Sequence, residues 1–210
     1  MIRILIADDH PIVRQGLKQI LSEEPDVETF GEASNSQEVL ELVRKQDWDI
    51  VVLDITMPGR NGLDVLKEVK NLRPKLPVLI LSIHPEDQYA KRVLKAGAAG
   101  YMTKESAQEE LIKAIRKILG GGKYISPTFA EKLAFDLGAK TEKPMLEVLS
   151  DREYQVMIMI ASGRTISQIA QELALSVKTI GTYRTRILEK MKMKTNAELM
   201  NYAIRNKLVE

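Results

Sequence analysis

Over the first 120 or so residues, short apolar runs alternate with longer segments of helical period. The runs are Ile2 to Ala7, Val27 to Gly31, Ile50 to Leu53, Val78 to Leu81 and Gly100 to Met102. Between them, apolar positions recur at three- and four-residue spacing over Ile12 to Leu21, Ser36 to Lys45, Leu63 to Leu72, Asp87 to Ala96 and Ala107 to Leu119. Strand runs that are almost continuously Val, Ile and Leu are expected where both faces of a sheet are covered. The pattern therefore predicts an α/β unit, a five-stranded parallel sheet wound with helices on both sides through right-handed crossovers.

Local punctuation supports these limits. Ser106 with Glu109 has capping-box spacing at the fifth helix, and Gly120-Gly121-Gly122 stops it. Pro74 and Pro77 close the third helix before the fourth strand. Ser126-Pro127 opens a further short helical stretch to about Leu137, and the polar segment from Gly138 to Glu147 reads as a linker. Beyond it the period is helical throughout. Three more capping boxes, Ser150 with Glu153, Thr165 with Gln168 and Thr195 with Glu198, and a cap candidate at Ser176 predict helices over Asp151 to Ala161, Ile166 to Ala174, Val177 to Met191 and Asn196 to Asn206. The expected organisation is a sheet domain over 1–122, a linker with a short helix over 123–147 and a small all-α domain over 148–210.

Composition narrows the chemistry. With 210 residues the chain suits two domains better than one. It has no cysteine, which excludes zinc–thiolate clusters, thiol nucleophiles and disulfides. It has no apolar run of the length a membrane span needs, and Asp8 interrupts the N-terminal strand before a signal-peptide core is complete. An intracellular protein with no membrane partner is expected. Net charge is +2, divided unevenly: residues 1–145 carry −1 and residues 146–210 carry +3. In the latter, Lys178, Arg184, Arg186, Lys190, Lys192 and Lys194 are offset only by Glu189. Such a cluster could follow a phosphate backbone, although charge alone favours a solvated helix face.

Ligands of parallel sheets collect beyond the carboxyl ends of the strands. Asp8 and Asp9 follow the first strand, Asp54 ends the third, Ser82 the fourth, and Lys104 follows the fifth. Three carboxylates, a hydroxyl and an ammonium there suit a Mg2+ and phosphoryl site, since a divalent cation would relieve the crowding of like charges. His10 attracts no catalytic or ligand role. The segments Ile-Ala-Asp8-Asp9-His10-Pro11, Val-Leu-Asp54-Ile-Thr-Met57-Pro58-Gly59-x-x-Gly62, Leu-Ser82 and Gly100-Tyr101-x-x-Lys104 together resemble the receiver domain of bacterial two-component response regulators. The resemblance implies a flavodoxin-like receiver in which Asp54 accepts a phosphoryl group from a sensor histidine kinase or an acyl phosphate. It further implies that Mg2+ is held by Asp9, Asp54 and the Thr56 carbonyl, with Asp8 acting through water, while Ser82 and Lys104 bind the phosphoryl group and Tyr101 turns with the switch.

In the second domain, Thr165 to Leu188 has the form of a helix, a short turn and a longer helix. Ile169, Ala170, Leu173, Leu175, Val177, Ile180 and Ile187 supply the buried face, and Lys178, Thr179, Thr182, Tyr183 and Arg186 lie on the other. Leu149-Ser150-x-Arg152-Glu153, Ile169-Ala170-x-x-Leu173-x-Leu175-Ser176-x-Lys178-Thr179-Ile180 and Ile187-Leu188-x-Lys190-Met191 resemble the LuxR-type helix-turn-helix. A receiver joined to that module resembles the NarL/FixJ class of transcriptional response regulators. The resemblance implies a cytoplasmic, homodimeric regulator of transcription that binds a double-stranded DNA operator, with RNA polymerase as a further partner. Lys178, Thr179, Thr182, Tyr183, Arg186 and Lys190 would form its DNA face. The last helix, through Leu199, Met200, Ala203 and Ile204, would join the dimer.

Other phosphate chemistries fit less well. Gly120-Gly121-Gly122-Lys123 lacks both the leading glycine and the trailing hydroxyl of a phosphate loop, and no Gly-x-Gly-x-x-Gly follows the first strand. An aspartyl-phosphate phosphatase would need an acid where Thr56 stands. The implied chemistry is self-phosphorylation and its hydrolysis, without turnover of a diffusible substrate. A receiver serving only as a dimerisation scaffold is the rival reading, and the complete acceptor set argues against it.

Overall fold

The computed structural model describes residues 1–57, 61–138, 145–206 and 208–209. They form two compact units, Met1–Ala134 and Phe135–Glu210. The Pro58-Gly59 part of the sequence motif and the core of the polar linker, 139–144, lie outside the described residues.

In the first unit five parallel strands, β1 (Ile2–Ala7), β2 (Val27–Ala33), β3 (Ile50–Asp54), β4 (Val78–Ser82) and β5 (Gly100–Thr103), lie in the order β2-β1-β3-β4-β5. Helices α1 (Pro11–Ser22), α2 (Ser36–Lys45), α3 (Gly62–Leu72), α4 (Glu86–Lys95) and α5 (Ala107–Leu119) alternate with them, as the periodicity predicts. Strands β3 and β4 are wholly buried, as is β1 from Ile4 to Ala7, because both faces are covered there, whereas the edge strand β2 is more open. Ile4, Ile6, Ile50, Val52, Leu79 and Leu81 pack with Leu17 and Leu21 of α1 and with Leu111, Ala114, Ile115 and Ile118 of α5. Their alternates Leu5, Val51, Leu53 and Ile80, equally buried, point to the opposite face. Before β3, Trp48 lies against Gly31, where a Cβ would overlap the indole ring, and its N–H donates to the Leu42 carbonyl at 3.1 Å.

The sheet unit does not end with α5. Gly120 and Gly121, the latter at φ +86°, stop that helix, and Tyr124 then forms a parallel bridge with Gly100 on the outer edge of β5. Helix α6 (Pro127–Gly138) follows, with Phe129 buried.

The second unit contains a 3₁₀ turn at Met145–Val148 and helices α7 (Asp151–Ala161), α8 (Ile166–Glu172), α9 (Val177–Lys190) and α10 (Asn196–Arg205). Helix α7 is its centre, buried from Glu153 through Ala161 and packed by α8, α9 and α10. Capping boxes at Ser150/Glu153 and Thr165/Gln168 form as expected, and Ser176 caps α9 through the Thr179 N–H. Two sequence expectations fail. Ser106 stays helical and donates to the Thr103 carbonyl rather than capping α5. At α10, Thr195 caps the Glu198 N–H, but the Glu198 carboxylate accepts from Lys194 N, one residue earlier than a capping box requires.

Candidate phosphoryl site and DNA-binding helix

The strand order places the end of β1 beside the end of β3 at the point where the winding reverses, and there the carboxylates meet. Asp8 and Asp54 are each 1% exposed, and Ser82 is fully buried. Lys104 Nζ lies 2.6 Å from Asp8 Oδ2 and 2.7 Å from Asp54 Oδ2, spanning the two strands. Its backbone N–H is tied to the Ser82 carbonyl at 2.8 Å, so the β5 loop is held to the end of β4. Burial works against the Lys104 charge, but hydrogen bonds to Asp54 and Asp8 and then their charges outweigh it, raising its pKa above that of a free lysine.

Asp54 Oδ1 accepts from the Thr56 N–H at 2.8 Å and from its hydroxyl at 2.7 Å, which fixes the carboxylate's orientation. Asp8 Oδ1 accepts from the His10 N–H at 2.9 Å. Asp8 Oδ2 and Asp9 Oδ1 are buried; the Lys104 ammonium lies 2.6 Å from the first and the His10 ring nitrogen 2.9 Å from the second. One potential ligand atom from each of Asp8, Asp9, His10 and Asp54 falls within a set no wider than 4.8 Å. Carboxylate oxygens crowded to this degree match the hard oxygen donors that a small divalent cation prefers.

Ser82 Oγ accepts from the His84 N–H at 3.1 Å, and the Tyr101 hydroxyl donates to the His84 carbonyl at 2.8 Å. Tyr101 is 1% exposed, so the ring is already turned inward. The structure brings Asp8, Asp9, Asp54, Thr56 and Lys104 together, joins Ser82 to Tyr101 at the end of β4, and adds two residues to which the sequence assigned no role. His10 offers a ring nitrogen to the acidic cluster, a position signalled only by its adjacency to Asp9. His84 connects Ser82 to Tyr101 through its backbone, and a backbone link leaves no trace in residue type.

In the second unit, Lys178, Thr182 and Arg186 form an exposed stripe at four-residue spacing on α9, while Ile180, Ile187 and Leu188 face the core. Thr179 and Tyr183 flank the stripe, half-buried. Lys190 differs: its ammonium lies 2.6 Å from Glu153 Oε2, the carboxylate that also closes the α7 capping box. Of the residues expected to join a dimer, Leu199 and Ala203 are fully buried within the unit and Ile204 is half exposed.

Residues 4–116 match the response regulator receiver domain family, and residues 147–203 match the luxR family of bacterial regulatory proteins. The chain belongs to the two-component response regulators that join a receiver to a LuxR-type module, the NarL/FixJ class, and is a DNA-binding regulator of transcription. It is 36% identical over 211 residues to the response regulator GacA of Pseudomonas aeruginosa, covering 100% of this chain and 99% of that relative. The response regulator UvrY of Escherichia coli is 35% identical over 210 residues, covering 99% and 96%. Among solved structures, RcsB of Salmonella enterica serovar Typhimurium, bound to promoter rprA in the presence of the phosphomimetic BeF3−, superposes with a TM-score of 0.66 at 26% identity, covering 96% and 98%. Among the described residues no helix is long and apolar enough to cross a membrane.

Proposed function

We propose that Asp54 is the phosphoacceptor of a Mg2+-dependent switch. A carboxylate oxygen of Asp54 attacks the phosphorus of a sensor kinase phosphohistidine or of an acyl phosphate; the new O–P bond forms as the donor's N–P or O–P bond breaks, and the departing group keeps the electron pair. Mg2+ would be held by Asp9, Asp54 and the Thr56 carbonyl, with Asp8 through water, and when bound it neutralises charge on the phosphoryl oxygens. Lys104 already stands against Asp54 and supplies the remaining positive charge. Ser82 leaves the His84 N–H to donate to a phosphoryl oxygen, and Tyr101, bonded to the same loop, responds.

The observation that carries this reading is the crowding of the Asp8, Asp9 and Asp54 carboxylates at the strand ends, with Asp8 and Asp54 sharing the Lys104 ammonium and Asp54 oriented by Thr56. For output, Lys178, Thr182 and Arg186, flanked by Thr179 and Tyr183, face a major groove, and two copies of the chain bind two half-sites of an operator. Lys190 steadies α9 against α7 instead. A receiver over 1–122, a linker over 123–147 and a DNA-binding domain over 148–210 describe this division of labour, in the cytoplasm where the operator is found. The sensor kinase and RNA polymerase act as its other partners. The promoter-bound, BeF3−-treated RcsB relative supports the coupling of the two halves.

Intact-mass measurement after incubation with acyl phosphate and Mg2+ is expected to show one acid-labile phosphoryl group on the wild type and none on Asp54→Asn. Equal operator affinity for the two treated proteins would leave the receiver as a scaffold only.

A further inference from the structure

The chain that leaves the sheet unit is fastened to the elements that carry the switch. Tyr124 N donates to the Ala99 carbonyl at 3.0 Å, and Tyr101 N donates to the Tyr124 carbonyl at 2.9 Å, so residue 124 acts as a short added strand on the edge of β5. Gly100 permits this approach, because a Cβ there would lie 2.6 Å from the Tyr124 carbonyl oxygen. The Tyr124 hydroxyl donates to Glu110 of α5, and Lys123 Nζ to the Ala98 carbonyl at 3.0 Å. Burial first, then the hydrogen bond and charge of Glu110 and the charge of Glu86, raise the pKa of the Tyr124 phenol and keep it a neutral donor.

The next residues grip the start of α4. Ser126 N donates to Glu86 Oε1 at 3.0 Å, Lys132 pairs with Asp87, and the buried Phe129, its N–H bonded to Ser126 Oγ at 3.1 Å, lies between these two points in sequence. Glu86 and Asp87 immediately follow the loop 83–85, whose His84 N–H meets Ser82 Oγ and whose His84 carbonyl meets Tyr101. Tyr101 thus holds the loop through its hydroxyl and residue 124 through its backbone N–H.

We propose that residues 123–132 are a clamp that reports the state of Ser82 and Tyr101 to the chain beyond. Held on β5 and α4 in the unphosphorylated protein, the clamp loosens when Ser82 abandons His84 and the loop carrying Glu86 and Asp87 shifts. The trigger rests on the reading of Asp54 as phosphoacceptor; the clamp rests on the contacts just described.

Hydrogen–deuterium exchange on the full-length chain separates the two. In the unphosphorylated protein, Lys132→Glu, a change at an exposed side chain, is expected to speed exchange in 123–132 and also in 83–87 and at Tyr101, by roughly 1.5- to 5-fold, the range for an exposed ion pair. Lys132→Glu with Asp87→Lys should restore protection at all three. Faster exchange confined to 123–132, or none, would overturn the clamp. After acyl phosphate and Mg2+, the wild type should lose protection in 123–132 while Asp54→Asn does not. Phosphoryl incorporation with unchanged protection would overturn the clamp and leave the phosphoacceptor standing. Absence of incorporation would remove the phosphoacceptor, and the Lys132→Glu result would then decide the clamp alone.

Discussion

Lys190 lies in the basic cluster of α9 but is bound inward, and replacing it with methionine separates its two conceivable roles. Glu153 exposes 4% of its side chain and Lys190 42%, at an N–O distance of 2.6 Å. Removing the ammonium leaves a nearly buried carboxylate held by Ser150, whose N–H donates at 2.7 Å. A fully buried pair broken in this way costs about 3–5 kcal/mol, and a hydrogen bond to a charged group contributes about 1.5–3 kcal/mol. Because Lys190 is partly solvated, the lower part of that span applies, about 2 kcal/mol after screening. For a unit of this size such a loss lowers the melting temperature by roughly 8–16 °C. Calorimetry on Lys190→Met, Glu153→Gln and the double variant would measure the coupling directly. In parallel, the salt dependence of operator binding should keep its slope in Lys190→Met, whereas Arg186→Met should lower the slope by about 0.9 for one lost phosphate contact. A reduced slope with no coupling to Glu153 would refute the inward role and return Lys190 to the DNA face.

Other perturbations probe the same structure. The folded-state pKa of Glu153 lies below the ordinary carboxylate value, because Lys190 and the Ser150 donors together outweigh burial, the largest single influence. Its contribution to stability is therefore present above the unfolded carboxylate pKa and is lost as pH falls through the folded one; acid titration of Glu153→Gln should show a shallower decline of the helical unit. Lys104→Met should destabilise the sheet unit by about 3–5 kcal/mol in urea titrations, by leaving Asp8 and Asp54 without their shared cation, and millimolar Mg2+ should recover part of the loss. Ala174 sits at φ +52° in the turn after α8, where glycine is usual, and Ala174→Gly is expected to raise stability by about 0.5–1 kcal/mol in the same titration. Gly62→Ala should cost about 1–3 kcal/mol, because the new Cβ would lie 2.5 Å from the Ile55 Cα, a backbone atom that cannot step aside as a side chain could.

Much of this was legible in the chain because the decisive signals are local. Buried strands announce themselves as apolar runs, and Asp8, Asp54 and Ser82 follow or end such runs, so a parallel topology alone carries them to one edge. Helix limits at Ser36–Lys45, Ala107–Leu119 and Asp151–Ala161 coincide with the periodic segments. The failures share a cause. Ser106 had capping spacing, but the Thr103 carbonyl lay within reach of its hydroxyl, and Glu198 found the Lys194 N–H in place of the Thr195 N–H. Spacing states which partners are available and leaves the choice to the fold. The Lys190–Glu153 pair joins residues 37 positions apart, and Tyr124 completes a sheet edge begun 24 residues earlier, so neither could be read from a local window.

The chain has one tryptophan, and it is buried against Gly31 in the sheet unit. Emission excited at the red edge of protein absorbance therefore reports the melting of that unit alone, whereas far-ultraviolet circular dichroism, dominated by helices, records both. Denaturant curves from the two signals that coincide would mean the halves come apart as one cooperative block, and curves that separate would give each half its own midpoint without cutting the chain or attaching a dye.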